Sequence, residues 1–357
     1  MTLLFVLWEL EFGGVERQAE LLAEEARRRG LRVEIVVLGG DGPSRPRLER
    51  ASDRLEVLGL RARRSLALAR AIAARLRGRR YEGTLLFGTA KLAALARGLS
   101  RVAPRIVVHV GNPVPLDPRS ELLARLRGAL LPARPVVTLA ANSAHTAASL
   151  ARSGWFRRFP RLISWNVVRA PFTPNTIREE CLPLRVGMAA RLDPIKDQST
   201  LLRATAELLA RGVPVELLLA GEGSEGDRLR AQARAFREHV QFLGRVEDID
   251  AFLARLDVFV FATTAREGFG NAAAEAMASG LPCILTDVGP CREVGGDATL
   301  YFPVHDARAL ACALGQIAED ASLRRELAAK GRARAMAHFS PARKLDDLLP
   351  FLLGALK

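Results

Sequence analysis

The chain has 357 residues, and its 53 lysines and arginines outnumber 39 aspartates and glutamates to give a formal net charge of +14 at pH 7. An apolar content of 49% and a charged content of 26% are globular values, which exclude a disordered or fibrous chain. Four cysteines without metal-like spacing exclude a disulfide-rich scaffold and favour a reducing cytoplasm, and no apolar run approaches the ~18 residues of a membrane span.

Strands and helices alternate through the first half of the chain. Residues 2–8 predict a buried first strand and not a signal peptide, since no basic region precedes the apolar run. A glycine loop, a helix at 15–29 and a strand at 32–38 complete the first unit. Further strands are predicted at 84–88, 105–110 and 136–140, and further helices near 64–78, 118–130 and 144–152. Such repeated units indicate a parallel sheet with helices on both faces.

A proline-containing linker at 170–176 leads into a second series of the same kind. Two helices are predicted within 306–337, and Ser340-Pro341 begins a last helix. The sequence therefore predicts an α/β protein with domains at 1–170 and 171–338 and a C-terminal helix at 339–357. The strands of the second domain are predicted at 185–190, 215–220, 240–243, 257–261, 282–286 and 299–302.

A strand, a glycine turn and a short helix are predicted over 257–280. Glu267 follows the strand, Asn271 is the predicted N-cap of the helix, and Gly280 ends it. The start of a helix binds anions, and Glu275 lies about one turn inside it. Two carboxylates beside an anion site suit a ligand with both hydroxyl groups and phosphate, such as a sugar nucleotide.

A second cluster lies upstream, where the strand at 185–190 turns into a helix. Arg191 supplies a guanidinium group and Lys196 an ammonium group just before this helix. Together they suit a diphosphate, because a cation at a helix start is otherwise disfavoured. The alternative is that both are solvated surface cations.

With these residues the chain resembles the retaining glycosyltransferases of family 4, which have the GT-B fold. The turn from Ala190 to Lys196 matches the family's diphosphate turn, although glycine is usual where Ala190 stands. Glu267 and Glu275 match its pair of glutamates, and Gly13-Gly14 match its N-terminal glycine loop. The residues of the glycine turn, Glu-Gly-Phe-Gly-Asn at 267–271, resemble those of family members that add hexoses or N-acetylhexosamines to lipid-linked glycans.

The resemblance implies two Rossmann-like domains that face a central cleft, with the C-terminal helix crossing back to the first domain. It implies that Arg191 and Lys196 stabilise the leaving diphosphate, that Glu275 holds the ribose, and that Glu267 holds sugar hydroxyls without acting as a nucleophile. His109 would lie near the donor sugar and the acceptor, with Asn112 beside it. The other implied donor-binding residues are Gly13, Gly14, Gly221, Gly223, Arg245, Gly268, Phe269, Gly270 and Asn271.

Two further motifs resemble other kinds of site: the first is interpreted as a glycine loop that lines the nucleotide crevice, and the second as structural. Residues 221–226 match the G-x-G-x-x-G of dinucleotide-binding proteins, but in the second unit of the second domain and without a ribose-binding acid after the next strand. An NAD(P)-dependent oxidoreductase is therefore a lesser alternative. Asp248 and Asp250 match the D-x-D of metal-dependent transferases, but Asp248 is predicted to cap a helix. We therefore expect no metal requirement and no cofactor.

The charge is concentrated in the first half of the chain. Residues 1–170 hold 30 basic and 14 acidic residues, a net of +16, whereas residues 171–357 hold 23 and 25, a net of −2. An arginine-rich helix at 61–80 and an aromatic cluster near Trp155 suit an anionic membrane surface. No nucleic-acid module is found. The candidate membrane or acceptor residues are Arg75, Arg77, Arg79, Arg80, Trp155 and Phe156.

The sequence and the resemblance thus predict a retaining, metal-independent transferase that moves a hexose or N-acetylhexosamine from a nucleotide sugar, with a UDP-sugar favoured, to a lipid-linked glycan acceptor in cell-surface polysaccharide or glycoconjugate assembly. Its predicted place is the cytoplasmic face of the cell membrane, held peripherally. A GT-B protein that binds sugar nucleotides without turnover, or serves as a partner subunit, is the alternative from another functional class.

Overall fold

The computed structural model describes residues 1–11, 13–60, 65–114, 136–169 and 175–354. The chain divides into two compact units, the first of Met1–Val167 with Pro341–Lys357 and the second of Val168–Ser340. Most of the predicted linker at 170–176 lies outside the described residues, as do the predicted helix at 118–130 and the start of the predicted basic helix at 61–64. Each unit is a parallel sheet with helices, which confirms the predicted α/β architecture.

The described part of the first unit contains a seven-stranded parallel sheet. Its strands are β1 (Thr2–Leu7), β2 (Arg32–Val37), β3 (Arg54–Val57), β4 (Gly83–Phe87), β5 (Arg105–Val110), β6 (Val136–Ala141) and β7 (Arg161–Ile163). They lie in the order β3-β2-β1-β4-β5-β6-β7. Its helices before the crossing to the second unit are α1 (Gly14–Arg28), α2 (Arg45–Ala51), α3 (Ser65–Arg75), α4 (Leu92–Leu99) and α5 (Ala144–Arg152), with a 3-10 turn at Phe156–Arg158.

The first strand shows why the apolar runs form central strands. Phe5 packs on one face of the sheet in a cluster that contains Leu22 of α1, whereas Leu4 and Val6 pack on the other face in a cluster that contains Leu95 of α4. Successive side chains of a strand point to opposite faces, so a strand covered on both sides must be apolar throughout.

The second unit contains a six-stranded parallel sheet in its described residues. Its strands are β8 (Leu184–Ala189), β9 (Val215–Ala220), β10 (Val240–Gly244), β11 (Val258–Phe261), β12 (Cys283–Thr286) and β13 (Leu300–Phe302). They lie in the order β10-β9-β8-β11-β12-β13. Its helices are α6 (Gln198–Ala210), α7 (Gly226–Gln232), α8 (Ile249–Leu253), α9 (Asn271–Ala278), α10 (Gly289–Gly295), α11 (Ala307–Glu319) and α12 (Ala321–His338), with a 3-10 segment at Arg234–His239.

The last helix, α13 (Pro341–Leu353), belongs to the first unit. It packs on α1, β4 and β5, and buries Leu345, Leu348 and Leu352 in the core there. The approach is close, because a Cβ atom at Gly83 of β4 would lie 2.3 Å from the carbonyl oxygen of Leu352. Gly83 therefore lets the helix lie directly against the sheet.

In the described part of the chain, the helices are either too short or too polar to cross a lipid bilayer.

Candidate active site

The neighbouring strands β8 and β11 form a topological switch point in the second sheet. From β8 the chain moves outward to β9 and β10, whereas from β11 it moves outward in the opposite direction to β12 and β13. In open α/β sheets the loops that leave such a pair diverge at its carboxyl end and form a ligand crevice. The predicted donor residues lie here, because Arg191 and Lys196 follow β8 and Glu267 follows β11.

The turn between β8 and α6 is held in place by hydrogen bonds. The carboxylate of Asp193 accepts from the backbone N–H of Ile195 at 3.0 Å, and the Asp193 carbonyl accepts from the N–H of Lys196 at 3.0 Å. Lys196 also forms a backbone bridge with Thr263, just beyond β11, and Asp197 caps α6. The backbone therefore places Lys196 against the end of β11.

Lys196 and Glu267 form an ion pair at this point. Lys196 Nζ contacts Glu267 Oε2 and lies 4.6 Å from the centre of the Phe261 ring. The hydroxyl of Thr263 also lies 3.3 Å from Glu267 Oε2. The two charged side chains are only 15% and 11% exposed, so the pair is largely shielded from water.

The surroundings of Glu267 keep it ionised. Burial acts to raise the pKa of Glu267, but the charge and hydrogen bond of Lys196 and the backbone N–H groups of Phe269 and Gly268 outweigh it. The pKa therefore lies below its usual 4.5. An ionised carboxylate only accepts hydrogen bonds, so Glu267 at neutral pH is suited to receive hydroxyl groups.

The glycine turn corrects one prediction and confirms another. The N-cap of α9 is Gly270, and not Asn271, which is already the first helical residue. Gly270 has a φ of +100°, a conformation that residues with a side chain rarely adopt. The predicted end at Gly280 is confirmed, since its φ is +76° and its N–H donates to the carbonyl of Met277 at 3.0 Å.

Phe269 is predicted to bind the donor through its backbone N–H group, which stays a prediction, and its side chain lies in the interior. Its side chain is 2% exposed, and its ring packs edge-on against Phe339 with centres 5.4 Å apart. The aromatic ring therefore belongs to the core of the second unit. Glu275 lies half-buried about one turn along α9, and its role in holding the ribose stays a prediction.

Arg191 and Arg245 are both exposed at the carboxyl edge of the second sheet. The Arg191 side chain is 79% exposed and pairs with Asp193 at 3.0 Å. Its carbonyl oxygen accepts from the Gln198 side chain at 2.9 Å, which fixes the backbone while the guanidinium group stays accessible. Arg245 follows β10 directly.

The loop that follows β9 needs its glycines for packing. Gly221 and Gly223 have φ values of +134° and +158°. A Cβ atom at Gly221 would lie 2.0 Å from the carbonyl oxygen of Ala190, and one at Gly223 would lie 2.3 Å from that of Leu192. Close contact with the turn after β8 thus explains this G-x-G without a dinucleotide, and it leaves the oxidoreductase alternative without its main support.

Asp248 is the N-cap of α8, as predicted, and accepts from the backbone N–H of Ala251 at 2.9 Å. Within the described ranges, no three His, Cys, Asp or Glu side chains are grouped to hold a metal ion. The D-x-D motif therefore has a structural explanation at its first position.

His109 lies near the carboxyl end of β5 in the first unit. It is 2% exposed, and its ring packs edge-on against Phe87 with centres 5.5 Å apart. Burial, helped by the positive charge of Lys344, holds the pKa of His109 well below its usual 6.5. Its Nδ1 atom has no hydrogen-bond partner among the described residues. At neutral pH it is an uncharged imidazole, and its catalytic role stays a prediction.

The N-terminal glycines and Asn112 are exposed in the first unit. Gly13 is the N-cap of α1, with extended backbone, and Gly14 is the first helical residue. The loop thus presents backbone N–H groups at the start of a 15-residue helix, where an anion is favoured. Asn112 lies two residues beyond β5.

The predicted basic helix ends earlier than expected, and one of its predicted membrane residues is paired with acidic side chains. Helix α3 ends at Arg75. Arg79 lies beyond it and pairs with Glu56 at 2.5 Å and Glu34 at 3.7 Å, so its charge is largely compensated. The predicted membrane residues that are exposed are Arg75, Arg77 and Arg80.

The predicted aromatic anchor is wrong, because these side chains are part of a core. Trp155 is 4% exposed, and its ring packs edge-on against Phe159 with centres 5.2 Å apart. Phe156 is half-buried and packs against the same core of the first unit. Trp155 is therefore not available to insert into a lipid surface, and Phe156 is only partly exposed.

A cleft of about 400 Å³ beside Lys196 includes residues that the sequence did not single out. Thr263, which contacts Glu267 but does not line this cleft, could have been found, since it is the polar residue just after a buried strand. His305 could not, because its importance depends on a backbone conformation that its neighbours in sequence do not indicate. The cleft is lined by Pro194, Lys196, Asp197, Ser199, Arg203, Glu225, Arg228 and His305.

Known proteins similar to this chain act in sugar transfer. Residues 183–320 match the family described as Glycosyl transferases group 1. A phosphatidyl-myo-inositol mannosyltransferase of Mycolicibacterium smegmatis is 38% identical over 146 residues, 40% of this chain and 38% of that protein. A GDP-mannose-dependent monoacylated alpha-(1-6)-phosphatidylinositol monomannoside mannosyltransferase of Corynebacterium glutamicum is 32% identical over 164 residues, 43% of each chain. The matches span about two fifths of the length of these curated relatives.

Solved structures extend the similarity of fold to nearly the whole chain. The Anabaena protein HepE, solved in complex with UDP and glucose, has a TM-score of 0.80 at 22% identity and covers 99% of both chains. The predicted resemblance is thus confirmed: residues 183–320 are similar to the glycosyl transferases group 1 family, and the fold of the chain is that of the GT-B glycosyltransferases.

Proposed function

We propose that the protein is a glycosyltransferase that moves a hexose or N-acetylhexosamine from a nucleotide sugar to a glycan acceptor, with retention at the anomeric carbon and without a metal ion. The observation that carries the proposal is the shielded Lys196–Glu267 pair at the switch point of the second sheet. It combines a cation for phosphate with a carboxylate for sugar hydroxyls.

The roles follow from how charge develops during transfer. Breaking the anomeric C–O bond leaves negative charge on the diphosphate and produces an oxocarbenium-like sugar. Lys196 and the exposed Arg191 stabilise the diphosphate more strongly in the transition state than in the bound donor. Glu267 is held ionised by Lys196 and two backbone N–H groups, so it orients the sugar. His109, kept uncharged by burial, would accept or donate a hydrogen bond near the acceptor.

The class of donor and acceptor is supported by the names of the relatives. Two are mannosyltransferases that act on phosphatidylinositol lipids, and one of them is named as GDP-mannose-dependent. The solved HepE structure contains UDP and glucose. We therefore propose a hexose donor and a lipid-linked acceptor, with the UDP-sugar favoured from the sequence as the first to be tested and GDP-mannose as the second.

The decisive experiment is a donor screen with the purified protein. UDP-, GDP- and ADP-sugars are supplied in turn with a membrane lipid extract, and the release of nucleotide and the appearance of a glycosylated lipid are measured. We expect one donor class to give product, and Lys196→Ala to slow its formation by about 100- to 1,000-fold. Binding of a nucleotide sugar without any product would instead identify a non-catalytic binding protein, whereas a response to NAD(P) alone would restore the oxidoreductase alternative.

A further inference from the structure

The backbone of His305 is held in an unfavourable conformation. Its φ is +64°, and among the described residues only it and Lys91 have a positive φ without being glycine. The left-handed region brings Cβ close to the backbone, so contacts nearby must hold a histidine there. His305 lies in the loop between β13 and α11, at the cleft that also contains Lys196.

Two hydrogen bonds tie this loop to the first turns of α6. Nδ1 of His305 lies 2.8 Å from Oδ2 of Asp197, and the carbonyl oxygen of His305 accepts from Nη2 of Arg203 at 3.1 Å. Asp197 and Arg203 belong to the N-cap and the second turn of the same helix. The side chain and the backbone of His305 thus contact α6 from one position.

Asp197 connects this loop to the phosphate turn. It is 8% exposed, its N–H donates to the carbonyl of Ala262 at 3.1 Å, and its Oδ1 accepts from the N–H of Thr200 at 3.3 Å. Its other carboxylate oxygen faces His305. Since Lys196 is the preceding residue, the position of Asp197 also sets where the side chain of Lys196 begins.

We propose that His305 is a positioning residue of the phosphate-binding turn: by holding the carboxylate of Asp197, it fixes Lys196 where the diphosphate of a nucleotide sugar binds. The inference rests on the proposed function and adds a residue to its donor site. This role explains why a histidine occupies a position whose positive φ would be less strained with glycine.

The test separates positioning from stability by using glycine. His305→Gly removes the contact to Asp197 and relieves the backbone at the same time, so the melting temperature should change little. The affinity for UDP or GDP, measured by calorimetry, and kcat should each fall by about tenfold, the usual order for losing one hydrogen bond to a charged group. His305→Asn should recover most of both, since asparagine tolerates the left-handed region and places a polar atom near Nδ1.

Variants of Asp197, the hydrogen-bond partner of His305, provide a second test. Asp197→Asn retains a helix cap but weakens the contact, and combining it with His305→Gly should cost no more than either change alone. Asp320→Asn, at the N-cap of α12, is the matched control and should leave nucleotide affinity unchanged.

Unchanged affinity and kcat in His305→Gly, with normal binding by the wild-type protein, would overturn the positioning role alone. A loss that tracks a lower melting temperature and is not rescued by His305→Asn would show a structural role and overturn it as well. A wild-type protein that binds none of UDP, GDP and ADP would overturn the proposed function, and this inference with it.

Discussion

Glu267 depends on Lys196 because both side chains are shielded from water at the end of β11. Lys196→Ala leaves a buried carboxylate without its cation, which typically destabilises a protein by about 3 kcal/mol. Adding Glu267→Gln to that variant removes the charge and should recover much of the loss. Denaturant unfolding of the two single variants and the double variant measures the coupling. Additive losses would show that the two side chains do not stabilise each other.

The same pair predicts a dependence of stability on pH. Because the folded pKa of Glu267 lies below its usual 4.5, its contribution is complete above that value and is lost as the pH falls through the lowered folded pKa. In Lys196→Ala burial remains while the cation is gone, so the pKa rises. The acid-induced loss of unfolding free energy should therefore be smaller in Lys196→Ala than in the wild type.

Kinetics distinguish the two kinds of donor contact. Lys196→Ala should lower kcat by about 100- to 1,000-fold, because the charge on the leaving diphosphate grows in the transition state. Glu275→Ala should mainly raise the KM for the donor, because ribose contacts are equal in the ground and transition states. Lys330→Ala is the control, since Lys330 pairs with Glu326 on the exposed face of α12. Near wild-type turnover in Lys196→Ala would contradict the assignment of the site.

At the scale of elements, the sequence predicts the central strands well and the edges less so. Strands such as β5 and β9 are continuous apolar runs because helices cover both faces, and their predicted bounds agree with the structure. Strands β3 and β7 are not predicted. Both are at sheet edges, and they are only four and three residues long with half-exposed side chains, so no apolar run marks them.

The individual residues of the site can be predicted from the sequence, but the ion pair between Lys196 and Glu267 cannot. Arg191, Lys196 and Glu267 each stand after a predicted strand, which marks them as ligand-facing. The ion pair, however, depends on β8 lying beside β11, and these strands are not consecutive in sequence. The exact start of α9 also depends on a glycine φ that the preference of asparagine for N-caps does not reveal.

Helix α8 gives a test of the metal prediction. Asp248 already has a structural partner as the N-cap, and asparagine caps helices equally well. Asp248→Asn with Asp250→Asn should therefore leave turnover and stability nearly unchanged, and EDTA should not reduce activity. Loss of activity in EDTA that Mg²⁺ or Mn²⁺ reverses would contradict the metal-independent proposal.

Helix α13 carries a buried amine, and its titration is predicted to make the stability of the first unit depend on pH. Lys344 is 2% exposed, and its Nζ donates to the carbonyls of Ser164 and Trp165 at 3.1 and 2.9 Å. Burial lowers the pKa of Lys344 from 10.5 to about 7. Between these values the unfolded chain binds a proton that the folded chain does not, so stability rises with pH across this window.

Lys344→Met removes the titrating group and should flatten that rise. Urea unfolding of the wild type and the variant, compared from pH 7 upward, isolates the contribution of Lys344 because other groups cancel in the difference. Equal slopes for the two proteins would show that the lysine is not the cause.

At the scale of the whole molecule, the charge split predicts that the protein docks reversibly on an anionic membrane. Since Trp155 is buried and Phe156 is only partly exposed, arginines supply most of the attraction, at about 1 kcal/mol for each residue near the surface, screened by salt. The exposed set is Arg75, Arg77 and Arg80, whereas Arg79 is paired with Glu34 and Glu56.

Vesicle co-sedimentation tests this docking. We expect binding to vesicles with anionic lipid, little binding to neutral ones, and release as salt rises. Serine at Arg75, Arg77 and Arg80 should weaken binding by up to about 100-fold and slow transfer to a lipid acceptor, while donor hydrolysis continues. The matched control removes the same charge from exposed positions of the second unit, at Arg234, Arg237 and Arg308, and should bind as the wild type does. Equal losses in both triple variants would show that binding follows net charge and not this surface, and a wild-type protein that ignores anionic vesicles at low salt would favour a soluble acceptor.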